Sequence, residues 1–206
     1  MRTCVLTATP DNILAASRKV KDGGLVVYPT DTVYGLGCDP FNLDAIGRVF
    51  DVKSERKKPL PILASDLEAV ERIASLSEKA RRIADTFWPG PLTIVVPKKP
   101  ILPDLVTCRL NSVGVRVPGH DVALELIRLS AGVLTGTSAN KTGQKPPLTA
   151  QEASKQIGSE VDLILNGGLA ALGVSSTVID LTAPRLRILR KGPIGLREIT
   201  EVLSQE

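Results

Sequence analysis

The chain has 206 residues, 43% of them hydrophobic and 23% charged, enough to bury one core and too apolar for chain-wide disorder. Lys and Arg total 26 against 22 Asp and Glu, a formal charge of +4, which suits an anionic substrate or an RNA-associated role without demanding either. Aromatics are only 3%, which argues against a stacking platform for single-stranded nucleic acid.

Short apolar strands alternate with amphipathic helices from end to end. Pro10 opens a helical pattern carrying Ile13, Leu14 and Val20, closed by Gly23-Gly24, and Leu25-Val26-Val27-Tyr28 follows as a strand. Asn42 is placed to cap a helix with Leu43, Ile46 and Phe50 on one face, and Ser77 to cap another with Ala80, Ile83, Ala84 and Phe87 inside. Thr149-Ala150-Gln151-Glu152 spells a capping box. Strands are expected at 92–96, 113–117, 133–135, 162–165, 177–181 and 186–189. The expected architecture is a single α/β domain over residues 1–206, a twisted mixed β-sheet flanked by helices. The 17 glycines and 15 prolines cluster at strand ends with polar residues, the kind of loop that carries function on a rigid sheet.

Cys4, Cys38 and Cys108 are odd in number and form no CxxC pair, so neither a disulfide framework nor a structural zinc site is indicated. His120 is the single histidine, which removes multi-histidine metal centres. No apolar run suggests a signal peptide or a membrane span, so the expected compartment is the reducing cytoplasm, where the Asn140-Lys141-Thr142 acceptor pattern means nothing.

Six segments concentrate polar chemistry. Tyr28-Pro29-Thr30-Asp31-Thr32-Val33-Tyr34-Gly35-Leu36-Gly37 sets hydroxyls and a carboxylate between a rigid proline and two glycines, suited either to a small polar ligand or to a turn. Lys53-Ser54-Glu55-Arg56-Lys57-Lys58 holds four cations in six residues, either a solvated helix end or a phosphate clamp. Arg116 stands inside the apolar strand Val113-Gly114-Val115-Arg116-Val117 and needs a carboxylate, from a ligand's amino-acid group or from an internal acid. His120 just beyond reads as a helix cap or structural histidine ahead of a catalyst. Gly136-Thr137-Ser138-Ala139-Asn140-Lys141-Thr142-Gly143 resembles an anion-binding nest, and 141–147 a lid. Ser175-Ser176-Thr177 and Arg190-Lys191-Gly192-Pro193 complete the set. No Walker A sequence is present, and Gly35-Leu36-Gly37 lacks the third glycine of a dinucleotide fingerprint.

In this order, and with Trp88-Pro89-Gly90-Pro91-Leu92-Thr93, these segments resemble the YrdC-like family of threonylcarbamoyl-AMP synthases from about Asp11 to Arg197. The resemblance implies an α/β fold around a deep basic cavity. It also implies an enzyme joining L-threonine, bicarbonate and ATP into threonylcarbamoyl-adenylate with release of pyrophosphate. Mg2+ would bind chiefly through ATP phosphates, with no metal ligands from the chain. The product would pass to a separate transferase complex that modifies tRNA adenosine. Carried over by motif, Thr32, Arg116, Ser138 and Ser176 would hold threonine. Lys53 and Arg56 would be the catalytic phosphate cations, separated by two residues where the family has one between them, with Lys58 nearby. Ser112, Asn140, Thr149 and Arg190 would contact the nucleotide. Leu63 stands where some longer members have a histidine, and the chain has the length of the family's short form. Two alternatives stand beside this reading: a non-catalytic domain binding double-stranded RNA or tRNA, and a paralogue acting on another carbamoyl substrate.

Overall fold

The computed structural model describes residues 4–54 and 58–204. Strand β1 (Cys4–Thr7) leads into α1 (Pro10–Lys21), then β2 (Val26–Tyr28), β3 (Gly35–Gly37) and α2 (Leu43–Lys53). After β4 (Ile62–Ala64) come α3 (Leu67–Ile73), α4 (Glu78–Phe87), β5 (Leu92–Pro97), β6 (Ser112–Arg116), α5 (Asp121–Leu129), β7 (Val133–Thr135) and β8 (Thr137–Ser138). Then follow α6 (Ala150–Ile157), β9 (Leu163–Asn166), β10 (Thr177–Asp180), β11 (Arg187–Arg190) and α7 (Leu196–Ser204).

The expected caps form. Asn42 accepts from the Ala45 amide at 3.0 Å, Ser77 from Ala80 at 3.2 Å and Thr149 from Glu152 at 3.1 Å, each satisfying an otherwise orphaned helix donor. In the capping box the Glu152 carboxylate reaches the Leu148 amide at 2.7 Å, one residue ahead of the cap. Ile46 and Phe50 bury one face of α2 as expected, but Leu43 is 54% exposed because it starts the helix on the solvent side.

The expectation of one sheet is corrected: the strands divide into two. A five-stranded sheet runs β1-β9-β2-β3-β8 and a six-stranded sheet runs β11-β10-β5-β6-β4-β7. Both mix parallel and antiparallel pairs: β1 and β2 flank β9 in parallel, while β5 pairs antiparallel with β6. The chain passes from the edge of one sheet to the edge of the other at Gly136, between β7 and β8. A Cβ there would lie 2.4 Å from Leu63 Cγ, so only glycine fits the crossing. Thr135 fastens this corner. Its amide donates to the Cys38 carbonyl at 3.0 Å, its hydroxyl accepts from the Cys38 amide at 2.9 Å, and its carbonyl accepts from the Tyr28 hydroxyl at 3.1 Å. Burial pushes the Tyr28 phenol upward and the Cys38 thiol to about 11, so both stay protonated in this corner.

One apolar cluster runs from Leu25 and Phe50 through Ile62, Ile94 and Val115 to Ile179. A second, from Ile13, Ala16 and Val20 of α1 and Ala123, Leu126 and Ile127 of α5, covers β2 and β9. Both faces of the short central strands are therefore buried, which leaves their polar exceptions informative.

Candidate active site

A cavity of about 640 Å³ lies against the six-stranded sheet, within the range that takes nucleotides and other small ligands. Its floor follows from strand alternation. On β6, Ser112, Gly114 and Arg116 face the cavity, while Val113 and Val115 point into the core at 1% and 0% exposure. Thr93 and Val95 of β5, and Val178 and Asp180 of β10, continue that surface. The register sets Asp180 beside Val95 and Val95 beside Gly114, with Val178 beside Thr93. The floor thus runs along the strands from Arg116 and Thr93 at one end to Ser112 and Asp180 toward the other.

At the first end Arg116, 5% exposed, is held on three sides. Its Nε donates to the Gly90 carbonyl at 2.8 Å, one terminal nitrogen to Thr32 Oγ1 at 3.0 Å, and the other to Asp31 Oδ1. Burial pulls the guanidinium below its ordinary pKa and Asp31 opposes the shift, so the pair keeps the charge in place. An internal acid therefore answers the strand arginine, yet one N–H remains on each terminal nitrogen, and Arg116 still lines the cavity. Thr30 organises the turn beneath it. Its hydroxyl donates to the Val33 carbonyl at 2.6 Å and meets Thr32 Oγ1 at 3.0 Å, which gives Thr32 a fixed orientation.

Beside this pair, Ser176 Oγ lies 2.8 Å from Thr93 Oγ1 and accepts from Arg190 at 3.0 Å, and Arg190 Nε donates to the Ser176 carbonyl at 2.9 Å. Among the described residues no carboxylate pairs with Arg190. Burial and the neighbouring Arg116 charge both pull its pKa down, a like-charge contact that an anion would relieve. Arg187 is paired instead, its guanidinium 2.5 Å from Asp180 Oδ2. The other Asp180 oxygen accepts from the Thr182 amide at 2.9 Å and hydroxyl at 2.6 Å. Burial raises the Asp180 pKa, but these donors and Arg187 outweigh it, leaving the carboxyl below its usual range. Lys53, at the end of α2, donates to the carbonyls of Ser138 at 2.8 Å and Asn140 at 2.6 Å, tying that helix to the β8 loop at the cavity wall. Described cations on the wall are Lys53, Lys58, Arg116, Arg187 and Arg190, against the single acid Asp180.

Eight of the expected site residues converge here: Thr32, Lys53, Lys58, Ser112, Arg116, Ser138, Ser176 and Arg190. Arg56 lies outside the described residues. Asn140 and Thr149 are not on the cavity wall. Thr149 is occupied as the cap of α6. Asn140, 5% exposed, spends its amide on the Lys141 and Gln144 carbonyls at 2.8 Å each, which pins the start of the 141–147 loop. Sequence reasoning assigned no role to Thr93, Asp180, Thr182 or Arg187. A threonine or aspartate on an apolar strand was the available signal, since a buried polar group must have a partner. His120 stands at the N-cap position of α5 without a side-chain cap bond, and burial lowers its pKa against the opposing charges of Asp31 and Asp121.

A void of nucleotide size, with five described cations, a buried arginine and converging hydroxyls on a mixed α/β scaffold, has the chemistry of a site for anionic small molecules. The Sua5/YciO/YrdC family model, described as "Telomere recombination", matches residues 18–192, and the chain belongs to that family. It is 38% identical over 195 residues to a threonylcarbamoyl-AMP synthase of Pyrococcus abyssi, covering 94% of this chain and 57% of that protein. A putative threonylcarbamoyl-AMP synthase of Mycobacterium tuberculosis is 37% identical over 93% of this chain and 89% of its own length. The crystal structure of P. abyssi Sua5 complexed with L-threonine superimposes with a TM-score of 0.95 at 36% identity, over 98% of this chain and 62% of that one. The chain thus spans about three fifths of the Pyrococcus protein. Escherichia coli YciO shares the fold, with a TM-score of 0.85 at 24% identity over 96% of this chain and 98% of that one.

Proposed function

We propose that this chain makes L-threonylcarbamoyl-adenylate from L-threonine, bicarbonate or CO2, and ATP, releasing pyrophosphate. The observation that carries the reading is one continuous cavity that brings Thr32, Arg116 and Ser176 together with Lys53, Lys58 and Arg190. The names of its relatives and the L-threonine bound to P. abyssi Sua5 support it. The threonine carboxylate takes the free N–H groups of Arg116, and its polar atoms meet the fixed hydroxyls of Thr32 and Ser176, with Ser138 opposite. The ATP phosphates lie among Lys53, Lys58 and Arg190, with Ser112 toward the nucleoside.

Chemically, the threonine nitrogen forms a bond to the carbon of CO2 and loses a proton, giving a carbamate. A carbamate oxygen then attacks the α-phosphorus in line, and the bond to the leaving pyrophosphate breaks with its electron pair. No side-chain nucleophile is required. The protein's contribution is alignment of two bound reactants and fixed positive charge around the phosphorus and the departing oxygens. Among the described residues no three metal-ligating side chains converge, and the only carboxylate on the cavity wall, Asp180, is already engaged by Thr182 and Arg187. A divalent cation would enter with the nucleotide as the Mg2+–ATP substrate, the chemistry that phosphate oxygens supply to such an ion. The adenylate is a mixed anhydride that a tRNA-modifying transferase consumes, which puts the reaction in the cytoplasm with ATP and tRNA. Among the described residues no helix is long and apolar enough to cross a membrane.

Pyrophosphate release with each substrate omitted in turn tests this directly. The synthase reading expects release only when threonine, bicarbonate and ATP are all present. Release independent of threonine, or salt-sensitive RNA binding with no turnover, would contradict it.

A further inference from the structure

Three described glycines line the cavity, and two have evident packing reasons. A Cβ on Gly136 would strike Leu63 at 2.4 Å, and one on Gly35 would press on three atoms of the buried Tyr28 side chain at 3.1 to 3.3 Å. Gly114 is different. It sits inside β6, where glycine weakens a strand, and it is not among the positive-φ glycines. A Cβ there would meet Thr93 Cγ2 at 3.2 Å, Pro61 Cβ at 3.6 Å and Val95 Cγ2 at 3.9 Å, an apolar seat that a methyl fills once Thr93 gives by a few tenths of an ångström. The backbone does not require glycine, and of the three wall contacts only that with Thr93 is tight, against three tight contacts at Gly35, which leaves the cavity side as a further reason for the missing side chain.

The strand geometry says what that reason is. Arg116 and Ser112 flank Gly114 on the same face, each about 6.6 Å away at the strand rise of roughly 3.3 Å per residue. If Arg116 holds the amino acid and Ser112 faces the nucleotide, the atoms to be joined lie above Gly114. Five covalent bonds separate the carboxylate carbon from the α-phosphorus in the product, a span of that order. We infer that Gly114 is a positioning residue that keeps the floor clear where the two substrates meet, so that carbamate and α-phosphate can approach. The inference rests on the synthase reading and adds to it a point on the floor that neither ligand needs for its own binding.

The test compares wild type with Gly114→Ala, Gly114→Val and the double variant Gly114→Ala/Thr93→Ser. Thermal melting checks folding, calorimetry measures L-threonine and ATP separately, and pyrophosphate release measures turnover. The expected result is dissociation constants within about threefold of wild type for each ligand alone, with turnover reduced about tenfold by alanine and a hundredfold or more by valine. Thr93→Ser removes the one tight methyl contact while keeping the hydroxyl, so it should not restore turnover; recovery in the double variant would mean that local packing alone was disturbed and would overturn the inference. Wild-type turnover in Gly114→Ala, with both ligands bound normally, would overturn it as well. A wild type that binds neither threonine nor ATP defeats the reading of the cavity itself, an outcome separate from any effect of the variants.

Discussion

Arg116 and Arg190 reach the same cavity under opposite conditions. Arg116 comes from the middle of a strand, is buried, and is neutralised by Asp31 while Gly90 and Thr32 fix its plane. Arg190 ends β11, is oriented among the described residues by the neutral Ser176, and feels Arg116 as a like charge. The difference separates two tasks that a pair of cations can perform on one substrate set. A compensated, rigid guanidinium orients a group without adding net field, whereas an uncompensated one supplies the field that a triphosphate and its leaving group require.

Substitution should break this contrast in different ways. Arg116→Ala leaves Asp31 charged and buried with no partner, and Asp31 Oδ2 already lacks a hydrogen bond. The expected cost is about 3–5 kcal/mol of folding stability, read by denaturant unfolding, together with loss of threonine binding. Arg190→Ala has no buried carboxylate to strand, so the fold should hold. Turnover should fall about a hundredfold, or roughly 2.7 kcal/mol of barrier, with threonine affinity little changed in calorimetry. If Arg190→Ala unfolded the protein, or Arg116→Ala left stability intact, the division of labour would be wrong.

Smaller effects sharpen the boundary between site and scaffold. Thr149→Ala removes the α6 cap and should cost about 1 kcal/mol of stability while leaving the Michaelis constant for ATP unchanged, which separates a scaffold hydroxyl from a nucleotide contact. His120 lies within the electrostatic reach of Asp31, the partner of Arg116, and burial holds its folded pKa below the ordinary value near 6.5. The unfolded chain therefore binds the proton first as pH falls. Stability contributed by the neutral imidazole is present above about pH 6.5 and declines below it, and His120→Asn should flatten that part of the stability profile.

The parts of this arrangement that sequence reveals are those fixed by local chemistry. Asn42, Ser77 and Thr149 announce helix starts because their side chains satisfy orphaned amides within a few residues. Arg116 stands out because a charge in an apolar strand must be compensated; the sequence leaves a ligand and an internal acid equally open, and the fold sets Asp31 against it. What stayed hidden depends on long-range pairing. Division into two sheets turns on β9 inserting between β1 and β2 and on the Gly136 crossing, neither encoded by periodicity. Thr93 and Asp180 become part of the floor only through the register of β5 with β6 and β10. Short β3, with two glycines in three residues, and α5, which begins at His120 without a side-chain cap, lacked the local signals that mark other elements.

The most direct measurement is a crystal structure with L-threonine and a non-hydrolysable ATP analogue bound together. The account predicts the amino-acid carboxylate on Arg116, the polyphosphate among Lys53, Lys58 and Arg190, and the α-phosphorus above Gly114 with the threonine nitrogen turned toward it. Two ligands bound on separate faces of the domain, or a nucleotide lying over Arg116 with no room left for the amino acid, would contradict it.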